Sequence, residues 1–212
     1  DLGVVRREIQ DTLHFDVVRD KIPVNSVDAA YMVTPTIGLI RFNNFAQTTH
    51  DEVVEAIKKL REQGMVDLII DLQQNGGGYL QAAADIASEF LQKDDLIVYT
   101  RGRSVPNQEF RSSGSGLFTQ GKVAVLVDEY SASAAEILSG AIQDQDRGIV
   151  VGRRTFGKGL VQLPMDLPHN ASMKLTTAKY YIPSGRCIQA INYKHSGGGY
   201  TEHIPDSLTH VF

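Results

Sequence analysis

Apolar and polar side chains alternate in short runs over the first thirty positions, as at Phe15 and Val17 and again at Ile22 and Val24. A period of two predicts lead-in or edge strands there. After Pro35, Ile37 to Phe42 predicts another strand. The period then changes, because Val53, Ala56, Ile57 and Leu60 fall on one stripe within Thr48 to Gln63. That spacing predicts a helix, with Thr49 or Asp51 as its cap and Gly64 as its stop. Val66 to Leu72 is almost continuously apolar at strand length, the pattern of a strand covered on both faces.

Asn75-Gly76-Gly77-Gly78 follows directly, and then Tyr79 to Leu91 carries Leu80, Ala83, Ala84, Ala87 and Leu91 at helical spacing. Strand, glycine turn and helix succeed one another, and the series continues. Leu96 to Thr100 predicts a strand, Ser112 to Gly116 a loop, Val123 to Val127 a buried strand and Ala134 to Ile142 a helix. Ile149 to Val151 and Met173 to Tyr181 predict two more strands. Phe156-Gly157-Lys158-Gly159 lies in the loop and strand start between them, and the Gly-rich, polar tail Ser196 to Phe212 predicts no clear element. Alternating strands and helices imply an α/β fold.

Composition narrows the functional classes. The 212 residues are 42% hydrophobic and 22% charged, which is ordinary globular usage and excludes a disordered or fibrous chain. Lys and Arg number 21 against 25 Asp and Glu, for a net charge of -4, and the cations are scattered, so the footprint of a nucleic-acid binder is absent. Cys187 is the single cysteine, which rules out an internal disulfide and a multi-cysteine zinc site. No apolar run reaches the ~18 residues of a membrane span. The chain starts at Asp1 without an initiating Met or a secretion signal, and we expect it to be a piece of a longer protein.

Three segments carry candidate chemistry. In Tyr130-Ser131-Ala132-Ser133-Ala134-Ala135-Glu136 a buried strand turns into a helix, whose first N–H groups are unpaired and point outward. A serine there suits a nucleophile, with the Ala134 N–H beside it as an oxyanion donor. Ser133 and Glu136 also form a ready capping box, in which the hydroxyl only closes the helix end. None of the six histidines lies near this segment in sequence, so the alternative base is Lys158, set between Gly157 and Gly159 among mostly uncharged neighbours. A desolvated lysine accepts a proton near neutral pH, as in Ser-Lys catalysis, whereas a solvated loop lysine does not.

If the chain runs extended from Lys158, then Lys158, Leu160 and Gln162 project to one side, and Gln162 can orient the amine. The glycines at 76–78 offer further backbone donors at a strand end, or else a plain tight turn; neither a P-loop nor a dinucleotide fingerprint fits them. Asp144 lies eleven residues beyond Ser133, about 16 Å away along a regular helix, too far for direct action. We expect it to organise the helix end or the neighbouring loops, with Arg147 as one candidate partner. No carboxylate arrangement suggests a metal or glycosidase site.

Asp71 to Gly78, Ser131 to Ile137 and Gly152 to Gln162, with Leu175 to Arg186 after them, together resemble the motifs of the carboxy-terminal processing peptidases, or tail-specific proteases, in order and in spacing. The versions from the Bacteroides group resemble it most. The resemblance implies a crotonase/ClpP-like spiral of ββα units with additional N-terminal strands. It implies a serine endopeptidase that cleaves the C-terminal regions of protein substrates through an acyl-enzyme, without a cofactor or metal. Ser133 is then the nucleophile, Lys158 the general base and Gln162 the residue that orients it, while the N–H groups of Ala134 and Gly77 form the oxyanion hole.

Gln73 and Ala135 depart from the Arg and Ser that the family often has. The resemblance further implies a PDZ domain before the core that binds substrate tails, with residues 1–25 holding its end and lead-in strands. It makes 26–212 a protease core that stops short of the family's final strands, in an extracytoplasmic, periplasmic or membrane-anchored protein, with homo-oligomers an open option. The alternative class is a non-catalytic module of the same fold that carries apolar ligands, which has no use for both Ser133 and Lys158.

Overall fold

The computed structural model describes residues 1–18, 20, 24–192 and 200–201. Ile22 and most of the Ser196 to Phe212 tail lie outside them. The chain opens with a hairpin of β1 (Leu2–Val4) and β2 (Leu13–Phe15), then β3 (Val27–Met32), β4 (Ile37–Phe42), α1 (Thr49–Glu62), β5 (Asp67–Asp71) and α2 (Leu80–Ser88). There follow β6 (Leu96–Arg101), β7 (Gln108–Arg111), β8 (Val123–Val127), α3 (Ala134–Asp144) and β9 (Ile149–Gly152). β10 (Leu160–Leu167), β11 (Ala171–Tyr181), β12 (Ile191–Asn192) and β13 (Tyr200–Thr201) complete the order. This is the mixed α/β fold expected from the alternation.

A five-stranded sheet in the order β3-β4-β5-β8-β9 holds the centre, parallel throughout except for the antiparallel edge strand β3. A four-stranded antiparallel sheet runs β10-β11-β6-β7. Strand alternation decides what is buried: Ile40 and Phe42 of β4, Leu68 and Ile70 of β5, and Val123, Val125 and Val127 of β8 join the core with Ile57 and Leu60 of α1, Ile86 of α2 and Leu138 of α3. Ile57 is 0% exposed, and burying a side chain of that size contributes roughly 1.5–3 kcal/mol. The opposite face stays partly open, so β5 reads intermediate at Ile69 and is not covered on both sides as its apolar run suggested.

One cap and one side-chain pairing differ from expectation. The N-cap of α1 is Thr48, without a side-chain cap bond. The Thr49 hydroxyl instead accepts the Ala46 N–H at 2.8 Å and donates to Ser26 Oγ at 2.6 Å, and Glu52 takes the Ser26 N–H at 2.7 Å, which pins β3 to α1. Arg147 does not pair with Asp144. Its guanidinium donates to the carbonyls of Phe90, Gly121 and Phe118 at 2.8–2.9 Å, while Asp144 accepts the Ser184 N–H at 2.9 Å. A half-buried fork with several donors satisfies more orphan carbonyls there than one ion pair would.

The parallel arrangement places the chemistry. β5, β8 and β9 are neighbours in the sheet and run the same way, so their carboxyl ends open onto one edge. The glycine turn leaves β5, the Ser133 segment leaves β8 and the Lys158 loop leaves β9. Segments more than 80 residues apart in sequence thus meet where open α/β sheets place their ligands.

Candidate active site

The turn after β5 is built around a buried asparagine. Asn75, 0% exposed, donates from Nδ2 to the Phe42 carbonyl at 2.8 Å, accepts the Gly77 N–H on Oδ1 at 2.9 Å and accepts the Ala132 N–H on its own carbonyl at 2.9 Å. One residue therefore holds the end of β4, the glycine turn and the serine segment in register. Gly77 has φ +92, and a Cβ built on it would stand 2.5 Å from the Ala132 oxygen, 2.7 Å from Ser133 Cβ and 2.9 Å from the Ala134 nitrogen. Only glycine fits this approach.

Asp128 ties the same two loops from the other side. Its carboxylate accepts the backbone N–H groups of Gln74, Tyr130 and Ser131 at 3.0 Å and the Gln74 side-chain amide at 2.7 Å. Burial pushes this carboxyl up, but the hydrogen bonds from Gln74, Tyr130 and Ser131 outweigh it and hold Asp128 below its ordinary value of 3.8. Ser131 is fully buried, and its hydroxyl donates to the Leu72 carbonyl at 2.8 Å. It is a structural serine, two residues before the candidate nucleophile.

Ser133 stands where β8 gives way to α3, at φ 57 and ψ -111. Such a backbone costs on the order of 1–3 kcal/mol for a non-glycine residue and persists where neighbours enforce it, as in strained strand-to-helix turns that present nucleophiles. The capping box with Glu136 is present, and its short half is the Ser133 N–H donating to Glu136 Oε2 at 2.8 Å. The hydroxyl's half is loose, since no side-chain cap bond reaches hydrogen-bond geometry. Among the described residues, the Ala134 N–H has no partner.

Glu136 is what joins the two candidates. Buried to 5% exposure, it accepts the Lys158 N–H on Oε2 at 2.8 Å, the same atom that takes the Ser133 N–H. Oε1 accepts the Thr155 hydroxyl and the Gly157 N–H, both at 2.7 Å. The backbone nitrogens of Ser133 and Lys158 thus lie within twice 2.8 Å of each other, although 25 residues separate them in sequence. A flexible four-carbon stem spans such a gap with ease.

The remaining expectations fare unevenly. The Lys158 side chain is exposed, and among the described residues it is not hydrogen-bonded to Ser133. The Gly77 N–H faces Asn75 Oδ1. A register shift between Val161 and Gln162 interrupts the alternation that was to align Gln162 with Lys158, and the Gln162 amide donates to Thr176 Oγ1 at 3.4 Å. Asn75, Asp128 and the second role of Glu136 went unread in the sequence. A buried polar residue flanking a glycine turn, and an acid just after a buried strand, were the available signals.

The profile of peptidase family S41 matches residues 36–198, which includes all three loops. The carboxyl-terminal-processing protease of Picosynechococcus sp. is 37% identical over 174 residues, covering 82% of this chain and 40% of that protein. The chain spans about two-fifths of the length of the curated relatives it matches. The solved photosystem II D1 C-terminal processing protease superposes with a TM-score of 0.71 at 27% identity, over 90% of this chain and 50% of that one. An S41 protease structure from Bacteroides fragilis shares the fold, with a TM-score of 0.66 at 17% identity over 86% of this chain and 51% of its own. With strained serine, glycine turn and lysine loop all inside the matched span, the chain belongs to peptidase family S41.

Proposed function

We propose that this chain is the catalytic core of a serine endopeptidase that cuts the C-terminal regions of protein substrates by a Ser-Lys mechanism. The observation that carries the reading is the single carboxylate oxygen of Glu136 that holds both the Ser133 and the Lys158 backbone. Ser133 Oγ attacks the scissile carbonyl while the neutral Lys158 amine takes its proton, and the resulting ammonium later protonates the leaving amine. Water then attacks the acyl-enzyme, giving a proton to Lys158, and the collapsing intermediate expels Ser133 Oγ, which takes that proton back from the Lys158 ammonium and releases the acid product. A bound substrate covers the exposed amine.

The unpartnered Ala134 N–H supplies one oxyanion donor at the head of α3. Gly77 supplies the other: a developing oxyanion attracts its N–H more strongly than the neutral Asn75 amide oxygen does. Gln162, held only at 3.4 Å by Thr176, turns to orient the Lys158 amine.

The same proposal extends to the architecture and setting of the full protein. The strands and helices form a crotonase- or ClpP-like spiral of ββα units, and residues 1–25 hold the lead-in strands and the end of a PDZ domain that delivers substrate tails to the core at 26–212. The protein works outside the cytoplasm; none of the helices among the described residues is long and apolar enough to cross a membrane. Cleavage of an unfolded protein by the parent, Ser133→Ala and Lys158→Ala, each in the full-length enzyme, tests the assignment. Both variants lose cleavage if it holds, and parental rates in both would overturn it.

A further inference from the structure

Beside this site, between α3, β9 and the segment that follows β11, lies a cavity of about 340 Å3, in the range that accepts small ligands. It includes neither Ser133 nor Lys158. It begins at Glu136 and follows the face of α3 that carries Ser139, Gly140 and Gln143, ending roughly 15 Å from Ser133 at helical rise.

Its lining is of two kinds. Val150, Ile182 and Ile188 are apolar, and Ile182 is buried. Arg153, Arg154 and Arg186 also line it and are exposed, and the Arg186 guanidinium donates to Gln143 Oε1 at 3.1 Å. Glu136 is the one carboxylate that lines it, and four donors from Ser133, Thr155, Gly157 and Lys158 already meet that charge. Arg153 shares Glu129 at 3.1 Å, whereas Arg154 has no partner among the described residues.

An occupant must offer an apolar body to the interior and one planar anion to the guanidinium forks, which match carboxylates in shape. Inorganic phosphate lacks the apolar part. The last residue of a polypeptide carries an apolar side chain and a free carboxylate on the same carbon. We propose that this cavity binds the apolar C-terminal residue of a polypeptide, its carboxylate at the arginines. The choice of a polypeptide as the source rests on the peptidase reading of the neighbouring site; the apolar carboxylate rests on the lining alone. Thr155 and Gly157 wall the cavity and hang from the same Glu136 as Lys158, so an occupant stiffens the loop that carries the lysine.

Cys187, the one cysteine of the chain, lines the cavity and is partly exposed, so its alkylation reports occupancy directly. The experiment measures the iodoacetamide rate at Cys187, read by peptide mass spectrometry, in the full-length Ser133→Ala enzyme, with Ala-Ala-Val free acid, its C-terminal amide, or hexanoate. The free acid at saturation should slow alkylation about fivefold or more, the amide should need at least about tenfold higher concentration, and Arg154→Gln should shift the acid's midpoint about tenfold. Equal protection by acid and amide, no protection, or no effect of Arg154→Gln overturns the carboxylate site. Hexanoate protecting at the same concentration as the peptide overturns the polypeptide as its occupant. The readout needs no cleavage. Absent protection with Ser133-dependent proteolysis intact removes this pocket alone, and protection without any proteolysis removes the peptidase reading alone.

Discussion

Removing the carboxylate of Glu136 should uncouple Ser133 from Lys158, and its four hydrogen bonds let the cost be worked out by variant. In Glu136→Gln the amide can keep its oxygen at the Oε2 position, facing the Ser133 and Lys158 N–H groups. Its NH2 then replaces Oε1. The Thr155 hydroxyl rotates to accept from it, but the Gly157 N–H is left facing a donor. One mispaired buried N–H costs about 1–3 kcal/mol, and two bonds weakened from charge-assisted to neutral cost about 1 kcal/mol more, so roughly 2–4 kcal/mol in all. For a chain this long that lowers Tm by about 5–15 °C. Glu136→Ala leaves all four donors orphaned and should cost about 3–5 kcal/mol, a penalty typical of breaking a buried charged network.

Activity should follow the bracket and not the stability. Glu136→Gln keeps the shared oxygen and should lose about tenfold in kcat, whereas Glu136→Ala should lose at least about a hundredfold with KM little changed, because positioning is lost while substrate contacts stay. Thermal unfolding and steady-state hydrolysis of a peptide ester, run below the lower Tm, separate the two effects. A Glu136→Ala protein that unfolds within about 1 kcal/mol of the parent and keeps its kcat would refute the reasoning.

Further outcomes follow from the same geometry. Gly77→Ala should abolish hydrolysis and destabilise by about 1–3 kcal/mol, since its φ is positive and its Cβ would meet Ser133 and Ala134; an active, parent-like variant in the same assays would contradict the close approach. Asp128 has a depressed folded-state value, so the stability it adds is fully present above its ordinary 3.8 and is lost as the pH falls through the lower folded value. Asp128→Asn should therefore flatten acid unfolding below pH 4, measured by tyrosine fluorescence, and an unchanged acid limb would count against that link. Arg147→Ala frees the carbonyls of Phe90, Phe118 and Gly121 and should cost about 2–4 kcal/mol in urea unfolding while leaving kcat intact; loss of kcat in a folded variant would place Arg147 nearer the chemistry than its contacts do.

Periodicity made much of this fold legible. β4 and β8 fall on the expected bounds because their apolar positions alternate against a core on one side, and α1 follows its stripe of Val53, Ala56, Ile57 and Leu60. The short strands β12 and β13 went unread, and β7 and the body of β10 escaped for physical reasons. β7, Gln108–Arg111, has only Phe110 half-buried, and its pairing with β6 defines it more than any apolar pattern does. β10 contains Pro164, which reads as a break, but it lies at a sheet edge, where a missing N–H is tolerated. The site was legible as residues and not as a mechanism of assembly. Ser133 stood out at a strand-to-helix turn and Lys158 between its two glycines, while Glu136 looked like an ordinary cap partner and Asn75 like turn filler. Their roles depend on contacts across strands that no local spacing encodes.

Covalent trapping tests the central claim most directly. An activated phosphonate or sulfonyl fluoride, followed by intact and peptide mass spectrometry, should leave one adduct on Ser133, none in Ser133→Ala, and labelling slowed at least about a hundredfold in Lys158→Met, as for loss of a general base. Absence of an adduct on Ser133, or equal labelling with methionine in place of Lys158, would contradict a lysine-activated serine at this site.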